Sequence, residues 1–199
     1  MNKVTVIIPY KVDRGWLKEA IASVPNDVQL LVSQGEGNWP ANFNKVLSQA
    51  TGDYIKFLHE DDMLTPNCIK DSVETFEKQK SDFIHGNAYE IFMNTGRQLG
   101  LYRPAIQLPS FEQMCSKNYI HSVTLMYRRE IFEKIGSFNE TLNTQEEFEF
   151  NLRCLKAGFK LGYCDSVLGY YRRHPAQKVR TVSYGERKSE KQIVLSWYK

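Results

Sequence analysis

The sequence lacks any long apolar run of the kind that crosses a membrane. Its hydrophobic content is 42%, and no stretch approaches the roughly 20 consecutive apolar residues that a bilayer requires. The first three residues lead directly into an apolar segment, without the features of a signal peptide. We therefore expect a soluble cytoplasmic protein, and 199 residues suffice for one α/β domain with its own core.

A strong net charge and paired cysteines are also missing. The net charge of +3 is too small to indicate a nucleic-acid partner. No two cysteines form a CxxC pair, so the sequence indicates no zinc site, and free thiols are the expectation. The four residues concerned are Cys68, Cys115, Cys154 and Cys164.

The sequence does contain an alternation of strands and helices over its first 78 residues. Apolar, β-branched runs predict strands at 4–9, 28–32 and 54–58. Helices are predicted at 16–24, 41–50 and 66–78 from the spacing of apolar residues and from turn signals. Such an alternation is typical of a parallel sheet with right-handed crossovers.

From residue 82 the predicted strands become shorter and a hairpin is expected. Strands are predicted at 83–84, 89–93, 99–102, 123–127, 160–164 and 167–171, a hairpin turn at 94–97, and helices after Ser110, at 129–135 and at 146–157. No linker or repeat interrupts the chain, so we expect one domain over residues 1–199.

An acidic turn follows the buried strand predicted at 54–58. His59, Glu60, Asp61 and Asp62 stand where that strand ends, and adjacent carboxylates repel one another unless a cation offsets their charge. Ligands of open α/β sheets bind beyond the carboxyl ends of the strands. Hard oxygen ligands beside a substrate phosphate suit Mg²⁺ or Mn²⁺. A solvated turn that caps the next helix is the alternative.

Four segments together resemble the family 2 glycosyltransferases. They read VTVIIP, ATGDYIKFLHEDDMLTP, YRREIFEKIGSFNE and QEEFEFNLRCLKAGFKLGYCDSVLGYYRRH, and they occur in the family's order and spacing over residues 3–175. The resemblance implies the GT-A fold, a Rossmann-like, mostly parallel sheet flanked by helices with a small antiparallel acceptor-side portion. It divides the single domain into a nucleotide-binding half at about 1–80, an acceptor half at about 81–175 and a basic tail at 176–199. It also implies a nucleotide-diphosphate sugar donor, a divalent metal and inversion at the anomeric carbon.

The resemblance assigns roles to the acidic turn. The family's metal motif is DXD, and HEDD matches it with His59 at the first aspartate position. Asp61 falls on the metal-binding position, Glu60 or Asp62 faces the ribose or supports the ligands, and a later His174 could contact metal or phosphate. The metal ligands implied are Asp61, Asp62 and His174, for Mn²⁺ or Mg²⁺.

The family's catalytic base lies in an acidic pair at the start of a helix. Glu146-Glu147 matches that pair, with Glu147 at the base position and Glu146 as the choice if the register is off by one. Because Phe148 and Phe150 follow, a raised pKa is expected for Glu147, which would help it take a proton from a sugar hydroxyl. The alternative is that both residues only favour the helix dipole.

The donor and acceptor pockets are less well matched. LLVSQGEG replaces the family's base-reading Asp-Asp-Gly-Ser stretch, so nucleotide recognition must be rebuilt around other side chains. The donor-binding residues implied are Pro9, Tyr10, Ser33, Gln34, Glu36, Asn44, Glu60, Asp61 and Arg172. The acceptor-side candidates are His121 and Ser122.

The basic tail carries two expectations. Its first part, 173–180, could close over the donor diphosphate as a lid, and the helix predicted after Ser183 could dock on a membrane surface or a partner through Ile193, Val194 and Trp197.

Three functions remain open from the sequence. The leading one is a metal-dependent inverting transfer of a sugar to a saccharide or lipid-linked acceptor, as in surface polysaccharide or glycan biosynthesis, in the cytoplasm or at the inner face of a membrane. A nucleotidyltransferase would share the topology, and a non-catalytic sugar-nucleotide-binding domain would share the pocket. No nucleic-acid partner is expected.

Overall fold

In the computed structural model, residues 3–93, 95 and 97–199 are described, and they form an eight-stranded sheet with helices on both faces. The strands are β1 Val4–Tyr10, β2 Gln29–Gln34, β3 Tyr54–Phe57, β4 Met63–Leu64, β5 Phe83–Phe92, β6 Gln98–Tyr102, β7 Met126–Arg128 and β8 Leu161–Arg173. The helices are α1 Leu17–Ala22, α2 Trp39–Leu47, α3 Cys68–Gln79, α4 Phe111–Ser116, α5 Arg129–Ile135, α6 Glu146–Lys156, α7 Lys178–Thr181 and α8 Tyr184–Ser196, with a 3₁₀ turn at Ser122–Thr124. Within the described part of the chain, no helix is long and apolar enough to cross a membrane.

The strand order is β2-β1-β3-β7-β5-β8-β4, and β6 pairs with β5. The β1–β2, β1–β3 and β5–β8 ladders are parallel, whereas the β3–β7, β5–β7, β4–β8 and β5–β6 ladders are antiparallel. This arrangement confirms the mostly parallel sheet with an antiparallel second part. It also places the carboxyl ends of β1 and β3 side by side.

The core lies on both faces of the sheet, because neighbouring residues of a strand point to opposite sides. Ile7 of β1 joins the cluster that packs against α2 and α6, whereas Val6 and Ile8 join the cluster under α1 and α3. Burial on both faces explains why β1 reads as a continuous apolar run. The cysteines are free, as expected, and three of the four are buried: Cys68, Cys154 and Cys164.

Two long strands replace the pairs of short strands predicted in the second half. Polar residues at 85–87 interrupt the apolar pattern of β5, yet His85 and Asn87 are fully buried. His85 Nε2 contacts the carbonyl oxygen of Gln107 at 2.5 Å, and Asn87 Nδ2 donates to the carbonyl oxygen of Asp165 at 3.1 Å. Because both side chains have a hydrogen-bond partner, β5 and its neighbour β8 continue through the polar stretch, with register shifts beside Asn87. His85 Nδ1 is buried without a hydrogen bond.

The strand predicted at 123–127 is wrong in its first half. Lys56 lies in β3 with no exposed surface, and its Nζ donates to the carbonyl oxygens of Val123 at 2.5 Å and Leu125 at 3.0 Å. These bonds hold the chain in a 3₁₀ turn, and the strand begins only at Met126. Half of the hairpin turn predicted at 94–97, namely Asn94 and Gly96, lies outside the described residues.

Candidate active site

A large cavity opens beyond the carboxyl ends of β1 and β3. Its volume is about 680 Å³. Its walls come from the end of β1, the loop before α2, the acidic turn, the start of α6 and the segment that carries α7 and α8. Its lining includes Pro9, Tyr10, Lys11, Arg14, Glu36, Trp39, His59, Glu60, Asp61, Asp62, Ser122, Asn143, Thr144, Gln145, Glu146, Glu147, Lys178, Val182 and Arg187.

Each carboxylate of the acidic turn has a different partner. Glu60 Oε1 accepts from Arg14 at 2.6 Å, and Asp61 Oδ2 contacts His174 Nε2 at 2.8 Å. Asp62 Oδ1 accepts from the backbone N–H of Arg172 at 3.0 Å, and its Oδ2 is buried without a partner. The turn therefore buries one carboxylate oxygen that has no hydrogen-bond partner, inside a cluster of negative charge.

Burial and mutual repulsion set the protonation of this turn. Burial first, and then the charge of Asp61, raise the pKa of Glu60 and raise that of Asp62 well above its usual range. Burial also acts on Asp61, but the hydrogen bond from His174 and the charges of His59 and His174 together outweigh it and lower the pKa of Asp61. Asp61 is therefore the permanent negative charge of the turn.

The acidic turn fits a divalent cation whose coordination is completed by phosphate oxygens. Among the described residues no group of three or more His, Cys, Asp or Glu side chains is arranged to close a metal site. The unpartnered Oδ2 of Asp62 and the ionised Asp61 are nevertheless hard oxygen donors. His174 would have to release Asp61 to ligate through Nε2, although its Nδ1 is buried and unpartnered.

The acidic pair at the start of α6 faces the same cavity. Glu147 Oε1 lies 3.2 Å from His59 Nε2, so the acidic turn and the candidate base touch each other directly. Burial raises the pKa of Glu147, but the hydrogen bond and charge of His59 outweigh burial and lower it. The raised pKa expected for Glu147 is therefore wrong: the sequence showed the aromatic neighbours but did not show that His59 would reach across 88 positions.

The raised pKa belongs to Glu146 instead. Its side chain is 2% exposed, and burial followed by the charge of Glu147 raises its pKa, against the lowering effect of Lys178. Lys178 Nζ donates to Glu146 Oε1 at 2.8 Å, which brings α7 over the start of α6. The two glutamates thus differ in charge partner: a histidine for Glu147 and a lysine for Glu146.

The donor-side residues predicted from the sequence separate into two groups. Pro9, Tyr10 and Glu36 line the cavity, together with Glu60 and Asp61 of the turn. Ser33, Gln34, Asn44 and Arg172 are not among the lining residues.

Hydrogen bonds account for two of the residues outside the lining. Asn44 Nδ2 donates to the carbonyl oxygen of Phe138 and to Glu140, both at 2.8 Å, and so ties α2 to the loop before α6. Arg172 is 2% exposed and binds Glu19, the carbonyl oxygen of Asp61 and that of Met93. It holds the backbone of the acidic turn and has its charge balanced by Glu19.

The acceptor-side candidates also separate. Ser122 lines the cavity, while His121 packs between the rings of Tyr102 and Tyr171 and is not among the lining residues. Burial and the nearby charge of Arg173 lower the pKa of His121 to about 4, so this histidine is neutral at physiological pH. A donor, metal or acceptor role for any of these residues stays a prediction.

Several residues that shape the cavity were missed by sequence reasoning. Asn42 is buried, and its Nδ2 donates to the carbonyl oxygens of Tyr10 and Gly35, both at 3.0 Å, which joins the ends of β1 and β2. A Cβ on Gly35 would lie 2.2 Å from Asn42 Oδ1, so this junction requires glycine. Trp39 packs edge-on against His59 and stacks on Phe57. An asparagine on the apolar face of a short amphipathic helix, as Asn42 is in α2, was the sequence feature that could have indicated this junction.

The basic tail is folded against the rest of the chain. Gln177 Nε2 donates to the carbonyl oxygen of Arg172 at 2.6 Å, and α7 and α8 follow. Val194 is fully buried against the chain's own core, whereas Ile193 and Trp197 remain half exposed. The helix predicted after Ser183 is confirmed. Of the three side chains expected to contact a membrane or a partner, however, Val194 packs in the chain's own core.

Residues 17–136, more than half of the chain, match the profile described as glycosyl transferase family 2. The chain belongs to that family. The match includes the acidic turn and stops before α6, so the candidate base pair rests on the geometry described above.

Curated relatives are similar over most of this chain but are longer. A Rickettsia felis protein described as an uncharacterized glycosyltransferase is 27% identical over 154 residues, which cover 74% of this chain and 25% of that protein. The Salmonella anatum O-antigen chain rhamnosyltransferase WbaN is 24% identical over 156 residues, which cover 72% of this chain and 49% of that protein. The chain thus spans about half or less of each of these two family members.

The fold is shared with a solved structure, S. aureus TarS 1-349 in complex with UDP-GlcNAc. The TM-score is 0.72 at 17% sequence identity, over 96% of this chain and 65% of that one. At this identity the likeness concerns the fold, and it confirms the GT-A fold predicted from the sequence.

Proposed function

We propose that this chain carries the catalytic site of a metal-dependent, inverting glycosyltransferase. The observation that carries the proposal is the contact between His59 and Glu147, because it brings the acidic turn and the acidic pair of α6 into one cavity. A cation-binding turn and a general base must lie within a few ångströms of one sugar carbon for this reaction, and no other pair of elements lining the cavity offers both. A cavity of about 680 Å³ is of the size that holds a nucleotide sugar.

Asp61 and Asp62 would hold Mn²⁺ or Mg²⁺ together with the donor's phosphates, and His174 would keep Asp61 in place. A bound divalent cation offsets the negative charge that develops on the departing nucleotide diphosphate. Arg172 orients the turn through the carbonyl oxygen of Asp61, and so contributes to donor binding indirectly. Pro9, Tyr10 and Glu36 would face the nucleoside, and Ser122 the acceptor.

Glu147 would act as the general base. Its carboxylate, ionised because His59 lowers its pKa, accepts the proton of an acceptor hydroxyl while that oxygen forms a bond to the anomeric carbon. The bond from that carbon to the diphosphate oxygen breaks in the same step, and its electrons leave with the nucleotide diphosphate. A single displacement of this kind inverts the anomeric centre.

The donor and acceptor classes follow from the relatives only as proposals. UDP-GlcNAc is the ligand of the TarS structure, and WbaN is described as a rhamnosyltransferase, so uridine- and other nucleotide-linked sugars are the donors to test. A saccharide or lipid-linked acceptor of surface glycan synthesis fits WbaN's description. Contact of the basic tail with the inner face of a membrane remains part of the proposal.

Calorimetric titration with nucleotide diphosphates, with and without Mn²⁺, tests the donor site. The chain is expected to bind one of them in a Mn²⁺-dependent manner, and Asp61→Ala should lose that dependence. Asp27→Ala is the matched control, since Asp27 is an exposed aspartate that does not line the cavity. Mn²⁺-dependent binding that survives in Asp61→Ala would refute the metal assignment, and binding without turnover would favour a non-catalytic domain.

A further inference from the structure

The side chain of Glu190 on α8 accepts hydrogen bonds from the loop at 143–145, which leads into the candidate base Glu147. Its Oε1 accepts from the backbone N–H of Asn143 at 2.7 Å, and its Oε2 accepts from the backbone N–H of Thr144 at 2.6 Å and from Thr144 Oγ1 at 2.5 Å. Bonds from a carboxylate to backbone N–H groups are charge-assisted and stronger than neutral ones. One side chain therefore fixes two consecutive peptide units.

The helix that carries Glu190 is itself well anchored. Val194 is fully buried in the core, and the hydroxyl of Tyr198 contacts Glu149 Oε1 of α6 at 3.2 Å. Lys191 Nζ donates to the carbonyl oxygen of Ser116 at the end of α4, at 3.1 Å. A capping box at Ser183 and Glu186 fixes the start of α8. The hydrogen bonds from Glu190 to the loop at 143–145 therefore come from a well-anchored helix.

The loop at 143–145 makes few hydrogen bonds within itself that would fix its conformation. Gln145, the residue that caps α6, makes no capping hydrogen bond with its side chain. Asn143, Thr144 and Gln145 all line the cavity, directly before Glu146 and Glu147. The direction in which α6 begins, and with it the position of Glu147, therefore depends in part on what holds this loop, beside the contacts that His59 and Lys178 make with the two glutamates.

We propose that Glu190 is a positioning residue for the base Glu147, acting through the loop at 143–145. The inference rests on the proposed function, because only that function makes Glu147 a general base whose position matters. It goes further by making the C-terminal helix, which lies beyond the family match at 17–136, a working part of the site. Small displacements of a catalytic group lower the reaction rate. Loss of the hydrogen bonds from Glu190 to the loop therefore lowers turnover and leaves donor binding intact.

The experiment compares the Glu190→Gln, Glu190→Ala and Thr144→Val variants with wild type. Turnover is followed as release of UDP from UDP-GlcNAc, or from whichever nucleotide sugar the chain binds, and amide hydrogen exchange is followed at residues 143–144. Glu190→Gln is expected to lower kcat about tenfold or more with KM for the donor within about twofold, and to speed exchange at 143–144 about tenfold. Lys188→Ala, an exposed residue of the same helix, should match wild type.

Thr144→Val removes only the hydroxyl contact with Glu190, so it still tests the proposal if a Glu190 variant unfolds. It should lower kcat by a smaller factor, and it should add nothing in the Glu190→Gln background, because the shared carboxylate is already gone. A Glu190→Gln enzyme with wild-type kcat overturns the proposal, as does a loss of kcat without faster exchange at 143–144. Glu147→Gln separates the two levels: if it keeps full turnover, the base assignment fails and the positioning role falls with it.

Discussion

Replacing His59 with glutamine should remove a pH-dependent part of the protein's stability. His59 is the residue that stands at the first position of the family's metal motif, and its side chain is 19% exposed. Burial lowers its pKa, but the hydrogen bond to Glu147 and the charges of the nearby carboxylates outweigh burial and raise the pKa of His59 to about 9. At neutral pH the imidazole is therefore protonated and paired.

The size of the effect follows from that shift. A pKa raised from 6.5 to about 9 corresponds to roughly 3 kcal/mol of extra stability for the folded state with His59 charged. Because the folded-state pKa is the higher one, this contribution is fully present below pH 6.5 and is lost as the pH rises through about 9. The difference in unfolding free energy between wild type and His59→Gln should shrink by about 3 kcal/mol across that window.

Urea unfolding at pH 6, 7.5 and 9.5 measures this difference. His85→Gln is the control between pH 7.5 and 9.5, since burial lowers the pKa of His85 from 6.5 to about 4, so that this histidine is mostly neutral in both the folded and the unfolded chain there. Its effect on stability should not change between these two pH values. A His59→Gln effect that is equally flat would mean that His59 is neutral in the folded protein, and the ion pair with Glu147 would have to be abandoned.

Three further outcomes are expected. His59→Asp, which restores the family's motif, should destabilise the chain at pH 7, because it places a carboxylate against Glu147; urea unfolding would detect it. Asn42→Ala should lower the unfolding free energy by about 2 kcal/mol and weaken nucleotide binding in calorimetry, since the ends of β1 and β2 lose their shared donor. The stability of wild type relative to His85→Gln should fall as the pH falls from 6.5 towards 4, because His85 has a folded-state pKa of about 4 and resists protonation only while folded. Urea unfolding over this pH range measures the difference, and a difference that stays flat would contradict it.

Most of the fold could be predicted because its elements follow local patterns. The helix at 129–135 was predicted with its true bounds, and the helix from Glu146 within a residue, since apolar spacing and the glycine at 136 mark their ends. The continuous strands β5 and β8 could not be predicted, because their polar residues are matched only by partners far along the chain. Asn87 bonds to Asp165, 78 positions away.

The candidate site could be predicted in its parts but not in its contacts. The acidic turn and the acidic pair follow from motifs, and both line the cavity. Their meeting through His59 could not be predicted, and neither could the partners that α7 and α8 supply through Lys178 and Glu190. Those interactions depend on how the tail folds back, which no local pattern records.

Turnover of a bound nucleotide sugar by wild type, Glu147→Gln and Glu146→Gln tests the central claim most directly. Each enzyme is mixed with the sugar nucleotide that calorimetry identifies and with Mn²⁺, and the released sugar is followed by proton NMR. Wild type is expected to release the inverted anomer first, and Glu147→Gln to bind the donor normally but turn over roughly a hundredfold more slowly. An active Glu147→Gln beside an inactive Glu146→Gln would move the base to the neighbouring glutamate, and retention of configuration would contradict the single displacement.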